Sequence, residues 1–146
     1  MLWKMPNDFK YFTNQTWGLP VLMGRRTYQN LGSEALTGRL NIILTRNKNF
    51  TAKDATTVHK IDDALFFARE HDYKELMVIG GAEIYKLLLP KTHKVLLTRI
   101  YATFEDADAF FPELNPKEWR MTAEEKFERD DKNPYDYSFQ VWERIR

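Results

Sequence analysis

An α/β fold with an antiparallel edge is what this sequence predicts, and three observations predict it. Two short apolar runs end in glycine: Leu19-Pro20-Val21-Leu22-Met23 before Gly24, and Leu76-Met77-Val78-Ile79 before Gly80-Gly81. Such runs are the pattern of strands buried on both faces. Each is followed by a segment of helical character. The end of the chain carries period-two alternation instead, from Trp119 to Phe127 and from Tyr137 to Trp142, which predicts an antiparallel pair around an Asp130 to Asp136 turn. Strands alternating with helices, then strands alone, give that fold class.

The elements follow in order. Pro6 followed by Asn7-Asp8-Phe9-Lys10-Tyr11-Phe12 starts a helix, with proline and an acid in the first turn. After the first strand, a short helix around Thr27-Tyr28-Gln29-Asn30-Leu31 stops at Gly32. Asn41-Ile42-Ile43-Leu44-Thr45 is a strand and Asn47-Lys48-Asn49 the turn after it. Ile61 to His71 is a helix opened by Asp62-Asp63, with Ala64, Leu65 and Ala68 on one side. Ala82 to Leu89 is a helix ending before Pro90, and Val95 to Ile100 a further strand. Because Leu76 to Ile79 and Val95 to Ile100 read as apolar throughout, both are expected inside a sheet rather than at its rim.

The chain has 146 residues, which suits a single domain, 1–146, and its 43% hydrophobic content supplies a real core. Lys plus Arg number 22 against 21 Asp plus Glu. That balance counts against nucleic acid as the main partner, yet leaves room for a local Arg cluster on a small anion. There is no cysteine, and His59, His71 and His93 lack metal-ligand spacing, so no metal site is expected. No apolar run has the length of a membrane span, and Asn7, Asp8 and Lys10 interrupt any secretory core at the start. The expected location is the cytoplasm, without membrane association.

Two places share one design: a buried strand, a glycine, then a helix. In the first, Gly24, Arg25, Arg26 and Thr27 put two guanidiniums and a hydroxyl at a helix start, where unpaired N–H groups attract phosphate. In the second, Gly80 and Gly81 precede Ala82, Glu83, Ile84 and Tyr85, and adjacent glycines let a ligand approach the backbone. Either alone reads best as an ordinary turn; together they point toward an anionic dinucleotide. The G-x-G-x-x-G fingerprint is absent, so a Rossmann fold is not supported. Arg46, just after a strand, is a phosphate grip or a solvated turn residue on equal terms, and Arg39 a carboxylate clamp or a surface charge. Asp8 lies four residues from Phe12, so its carboxylate can share an aromatic face, a setting suited to proton chemistry. A first-turn acid favoured by the helix dipole is the plainer reading of Asp8.

These pieces, in this order, resemble dihydrofolate reductase. The stretches that carry the resemblance are Leu2-Trp3-Lys4-Met5-Pro6-Asn7-Asp8 with Phe12, Pro20 through Tyr28, Gly38-Arg39 with Asn41 to Leu44, Val78 through Tyr85, Leu97-Thr98, and Asp108 through Phe111-Pro112. The resemblance implies a mixed, mainly parallel sheet with an antiparallel C-terminal edge and helices on both faces. It also implies hydride transfer from NADPH to C6 of dihydrofolate, with a proton delivered to the ring nitrogen N5. Asp8 then matches the pterin-pocket carboxylate, Thr98 the threonine that supports it, and Trp3 the tryptophan that holds an ordered water. Phe9, Phe12, Leu31 and Ile79 match the walls of the pterin and benzoyl site, and Arg39 the partner of the glutamate tail. Gly24, Arg25, Arg26 and Thr27 match the first phosphate turn. Leu44, Thr45 and Arg46 match the next cofactor-binding stretch, where Thr45 and Arg46 read the 2′-phosphate. Gly80-Gly81 matches a pair joined by a cis peptide, with Ala82 to Tyr85 along the cofactor groove. Dihydrofolate and antifolate-like molecules are the implied partners.

Two departures stand out. Ser33-Glu34-Ala35-Leu36-Thr37 replaces the family's Pro-Leu-Pro run before the tail-binding Arg and is one residue longer. The segment matching Met1-Leu2-Trp3 is preceded, in the family, by a central strand and half of the mobile active-site loop. The expectation is an N-terminally incomplete domain, a monomer if complete and open to strand-swapped association if not, since unpaired buried backbone groups cost about 1–3 kcal/mol each. The competing readings are a related pterin or pyrimidine reductase, such as that of the riboflavin pathway, and a non-catalytic fragment. The Trp3-Pro6-Asp8 segment counts against the former.

Overall fold

The computed structural model describes residues 5–101 and 112–145. Trp3, Asp108 and Phe111, which figure in the resemblance, lie outside the described residues. Asn14–Leu88 form one compact unit, and Met1–Thr13 with Leu89–Arg146 another.

The first unit is built on a parallel sheet. Strand β1, Pro20–Gly24, is buried along its whole length. It pairs in parallel with β2, Leu40–Leu44, on one side and with β4, Met77–Gly80, on the other. Strand β3, Thr56–Val58, adds to β2, giving the order β3-β2-β1-β4. Sequence reading passed over β3 because three residues are too few to show a period. Alternate residues of β1 and β2 feed opposite faces. Leu22, Ile42 and Leu44 pack with Ala64 of helix α3, Ile61–Glu70, and with Leu88 of α4, Ala82–Leu88. Val21, Met23 and Ile43 pack with Tyr28 of α2, Arg25–Asn30. The helices therefore cover both faces, and each fully buried aliphatic side chain contributes about 1.5–3 kcal/mol.

Local chemistry explains the helix bounds. In α3, Asp62 and Asp63 occupy the first turn and Arg69 the last, complementing the dipole, while Ala64 and Ala68 fall on one buried face. Helix α4 tightens into a 3₁₀ turn at Leu89–Lys91, because Pro90 has no N–H to continue the ladder.

The second unit carries an antiparallel sheet of β5, Lys94–Ile100, β6, Trp119–Phe127, and β7, Tyr137–Arg144, in the order β5-β7-β6. The predicted terminal pair is present as β6 with β7. The alternation in β6 does not become alternating burial: Trp119 is buried, but Arg120 to Lys126 are all exposed. As an outer strand, β6 has water on both faces over most of its length. Helix α1, Pro6–Thr16, begins in this unit.

The expectation that Leu76 to Ile79 and Val95 to Ile100 lie inside a sheet needs correction. Among the described residues, β4 is bonded only to β1 and β5 only to β7, so each ends its sheet. Their apolar side chains are used by the faces instead. Val78 and Leu76 pack on one face core, Met77 and Ile79 on the other. An apolar run reports covered faces and carries no information about its edges.

Candidate active site

Asp8 and Thr98, ninety residues apart in sequence, are brought together. The Thr98 hydroxyl donates to Asp8 Oδ1 at 2.7 Å. The approach is set from both sides. On α1, Asp8 and Tyr11 are three apart and share a face, and Tyr11 stacks on Phe139 with ring centroids 4.0 Å apart and planes within 6°. Thr98 and Phe139 are cross-strand partners of β5 and β7, so helix pair meets strand pair. Burial, and secondarily the Glu125 carboxylate, push the Tyr11 phenol above its ordinary value.

The start of α1 is fixed as well. Pro6 opens it, the Asn7 N–H donates to Asn133 Oδ1 at 3.1 Å, and Asn7 Nδ2 donates to the Tyr137 hydroxyl at 2.8 Å. Asn133 is almost wholly buried and in turn donates to Asp130 through backbone and amide nitrogens. The dipole-favoured first turn and the hydroxyl partner thus coexist at Asp8. Phe12 is half-buried on the same helix, and Phe9 is exposed.

In the other unit the two glycine turns converge. Gly24 and Gly80 end the neighbouring strands β1 and β4. A Cβ on Gly24 would stand 3.1 Å from Ile84 Cγ1, so α4 approaches as closely as a hydrogen there allows. The Gly80-Gly81 peptide is cis, as the resemblance implies. Thr27 Oγ1 lies 3.6 Å from the Cβ position of either glycine, and the Tyr85 hydroxyl 3.4 Å from that of Gly80. Burial pushes the Tyr85 phenol up to about 12, so it stays protonated at neutral pH. Ala82 is half-buried and Glu83 exposed in the first turn of α4.

Gly24 and Leu44 are register partners, so Arg25-Arg26 and Thr45-Arg46 leave adjacent strand ends together. The recorded ion pair among the described residues is Lys126 with Glu124, so Arg25, Arg26 and Arg46 are not neutralised by carboxylates there. Thr45 is held by its N–H on the Val58 carbonyl at 3.0 Å, and its own carbonyl meets His59 Nδ1 at 2.8 Å. Leu44 is buried beneath it.

Leu31 is exposed just past α2, and Ile79 half-buried in β4. Arg39 is oriented: Nε donates to Thr16 Oγ1 and Nη1 to the Thr37 carbonyl, both at 2.9 Å, with the guanidinium 5.2 Å over Trp17. Partial burial lowers its pKa from the ordinary value. Gly38 has φ +77°, and a Cβ there would reach within 2.5 Å of the Trp17 ring, so glycine lets the indole lie beneath Arg39. Sequence reading missed as supports Thr16, Asp54, Asn133 and Asn41, whose side-chain amide accepts from the Leu36 N–H and donates to the Leu36 and Arg39 carbonyls, all at 2.9 Å. Asn41 alone left a signal, a lone amide at the head of an apolar strand.

A parallel α/β sheet with two apposed glycine turns, and guanidiniums at its strand ends without carboxylate partners among the described residues, defines the class, a protein built to hold a phosphorylated cofactor. The chain belongs to the dihydrofolate reductase family, whose model matches residues 1–144. It is 41% identical over 144 residues to the dihydrofolate reductase of Staphylococcus haemolyticus, covering 99% of this chain and 84% of that one. The Haemophilus influenzae dihydrofolate reductase is 38% identical over 144 residues, with coverage of 99% and 87%. Among solved structures, a dihydrofolate reductase from Enterococcus faecalis complexed with NADP(H) and RAB-propyl superposes with a TM-score of 0.90 at 31% identity. That superposition covers 100% of this chain and 86% of the other.

Proposed function

We propose that this chain reduces 7,8-dihydrofolate to 5,6,7,8-tetrahydrofolate at the expense of NADPH. The observation that carries the reading is the Thr98 to Asp8 hydrogen bond, a carboxylate held in one orientation by a hydroxyl. Family membership and the NADP(H) complex of the Enterococcus relative support it.

The residues present fit a phosphorylated dinucleotide. Arg25, Arg26 and Arg46 gather at adjacent strand ends and are not paired with carboxylates among the described residues. In this reading Gly24 to Thr27 hold the diphosphate, and Leu44, Thr45 and Arg46 the 2′-phosphate end. Gly80, Gly81, Ala82, Glu83, Ile84 and Tyr85 line the cofactor groove. NADPH, when bound, supplies the hydride that reduces C6 of the pterin. Everything else falls to the protein. Asp8 accepts hydrogen bonds from the pterin amino group and ring nitrogen, fixes the ring, and promotes proton delivery from water to N5. Thr98 keeps the Asp8 carboxylate turned toward the pterin, and Trp3 holds the water. Phe9, Phe12, Leu31 and Ile79 wall the pterin and benzoyl rings, and Arg39 pairs with the tail carboxylate.

The test is NADPH oxidation with dihydrofolate, comparing wild type with Asp8→Asn. The variant is expected to lose hydride transfer strongly at neutral pH and to regain part of it in acid, where solvent protonates the substrate. Near-normal turnover by Asp8→Asn at neutral pH would overturn the assignment.

In this reading the chain forms part of a single, cytoplasmic dihydrofolate reductase domain that takes antifolate-like molecules at the substrate site.

A further inference from the structure

The segment before Arg39 is held by a set of hydrogen bonds that reach across the chain. Ser33 has φ +56°, a left-handed conformation that serine keeps only where its surroundings hold it. Its N–H donates to the Tyr28 carbonyl at 3.1 Å, and the Tyr28 hydroxyl donates back to the Ser33 carbonyl at 2.8 Å. That phenolic proton is shared with Asp54 Oδ1 at 2.9 Å. The other oxygen, Asp54 Oδ2, accepts the Ala35 N–H at 2.8 Å. Both bonds hold the Asp54 carboxyl below its ordinary aspartate value, the Ala35 N–H foremost, so the latch is ionised at neutral pH. Two residues on, Thr37 offers its carbonyl to Arg39 Nη1.

One exposed carboxylate thus ties the end of α2 to the loop whose last members set the Arg39 guanidinium. The hydrogen-bond partners of Asp54, Tyr28 and Ala35, are not candidate ligand-binding residues, and charge-assisted bonds to backbone are the stronger kind. We propose that Asp54, acting with Tyr28, is a positioning residue for substrate-tail specificity: it holds the 33–37 loop so that Arg39 meets a carboxylate-terminated tail. The inference rests on the reading of Arg39 as the tail's partner. The longer, proline-free loop lacks the stiffness a Pro-Leu-Pro run would provide, and the latch supplies that stiffness from across the chain.

The experiment compares steady-state reduction of dihydrofolate with that of 7,8-dihydropteroate, which lacks the glutamate tail, in wild type, Asp54→Ala, Tyr28→Phe and Arg39→Ala. Asp54→Ala is expected to raise KM for dihydrofolate about 3- to 10-fold, the share of a charge-assisted bond that reaches Arg39 through the loop. Its kcat should stay within about twofold, and its KM for dihydropteroate should not move. Tyr28→Phe keeps the ring and its edge contact with Phe50, so it gives the same split, smaller, should Asp54→Ala fold poorly. If Arg39→Ala removes the preference for the tailed substrate and the other two variants leave it intact, the latch is wrong while the Arg39 reading stands. If Arg39→Ala itself leaves the preference unchanged, the Arg39 reading fails and the latch with it. Equal KM increases for both substrates in Asp54→Ala also overturn the latch, because a general loosening does not distinguish them.

Discussion

Thr98→Val removes the hydrogen bond that orients the Asp8 carboxylate. Valine keeps the branched shape and suits β5, so register and packing should survive; only the hydroxyl is lost. The bond removed is short, 2.7 Å, and charge-assisted, a class that contributes about 1.5–3 kcal/mol when desolvated. Thr98 and Asp8 are both half-buried, so the lower end applies, about 1.5 kcal/mol. At about 1.4 kcal/mol per factor of ten, kcat/KM for dihydrofolate should fall roughly tenfold. NADPH affinity, measured by calorimetry, should stay put, and the melting temperature should move by only a few degrees. Thr98→Ser should recover most of the loss, since it restores the donor. Folate binding measured for Thr98→Val in both the wild-type and the Asp8→Ala backgrounds supplies the control: the loss should appear in the first and almost vanish in the second, the difference being the coupling energy. A Thr98→Val enzyme within twofold of wild type refutes the reasoning. So does an equal loss in both backgrounds, which would make the hydroxyl act elsewhere.

Arg46→Ala should narrow the preference for NADPH over NADH about tenfold or more, since a charge-assisted phosphate contact contributes about 1.5–3 kcal/mol; two cofactors bound equally by wild type in calorimetry contradict this. Asp130, held below its ordinary value chiefly by the Asn133 amide and then by the Asn133 and Lys132 N–H groups, should make stability acid-sensitive. A depressed folded-state value adds stability above the unfolded aspartate value and loses it as pH falls through the folded one, so melting temperatures should drop below about pH 4, and Asp130→Asn should flatten that decline. A wild type and variant with superimposable melting profiles in acid would remove Asp130 as the cause.

Much of the fold was legible because its signals are local. Buried parallel strands need apolar residues on both faces, and Val21-Leu22-Met23 and Ile42-Ile43-Leu44 have them, so β1 and β2 could be read directly. Pro6, Asp62-Asp63 and Pro90 mark helix ends for reasons that act within one turn. What failed was information about neighbours. Nothing in Met77-Val78-Ile79 says whether a strand lies beyond it, and nothing in Arg120 to Lys126 says that alternating residues meet water on both sides.

The candidate site divides along the same line. Glycines and arginines beside strand ends announce a phosphate-binding design, and the cis Gly80-Gly81 peptide matches what the resemblance implies. The residues that orient the reactive groups announce nothing, because each acts at long range: Thr98 reaches Asp8 across 90 positions, Asn133 reaches Asn7 across 126, and Asp54 reaches Tyr28 across 26. A carboxylate in a first helical turn is common. What makes Asp8 different is a hydroxyl delivered by a strand, with a stacked Tyr11-Phe139 pair setting the distance between them. Orientation is a property of the partner, so a sequence scanned for reactive side chains finds the acid and the guanidinium and passes over the groups that aim them. The Thr98 and Asp54 variants test those aiming groups directly, leaving Asp8 and Arg39 intact while altering what they can do.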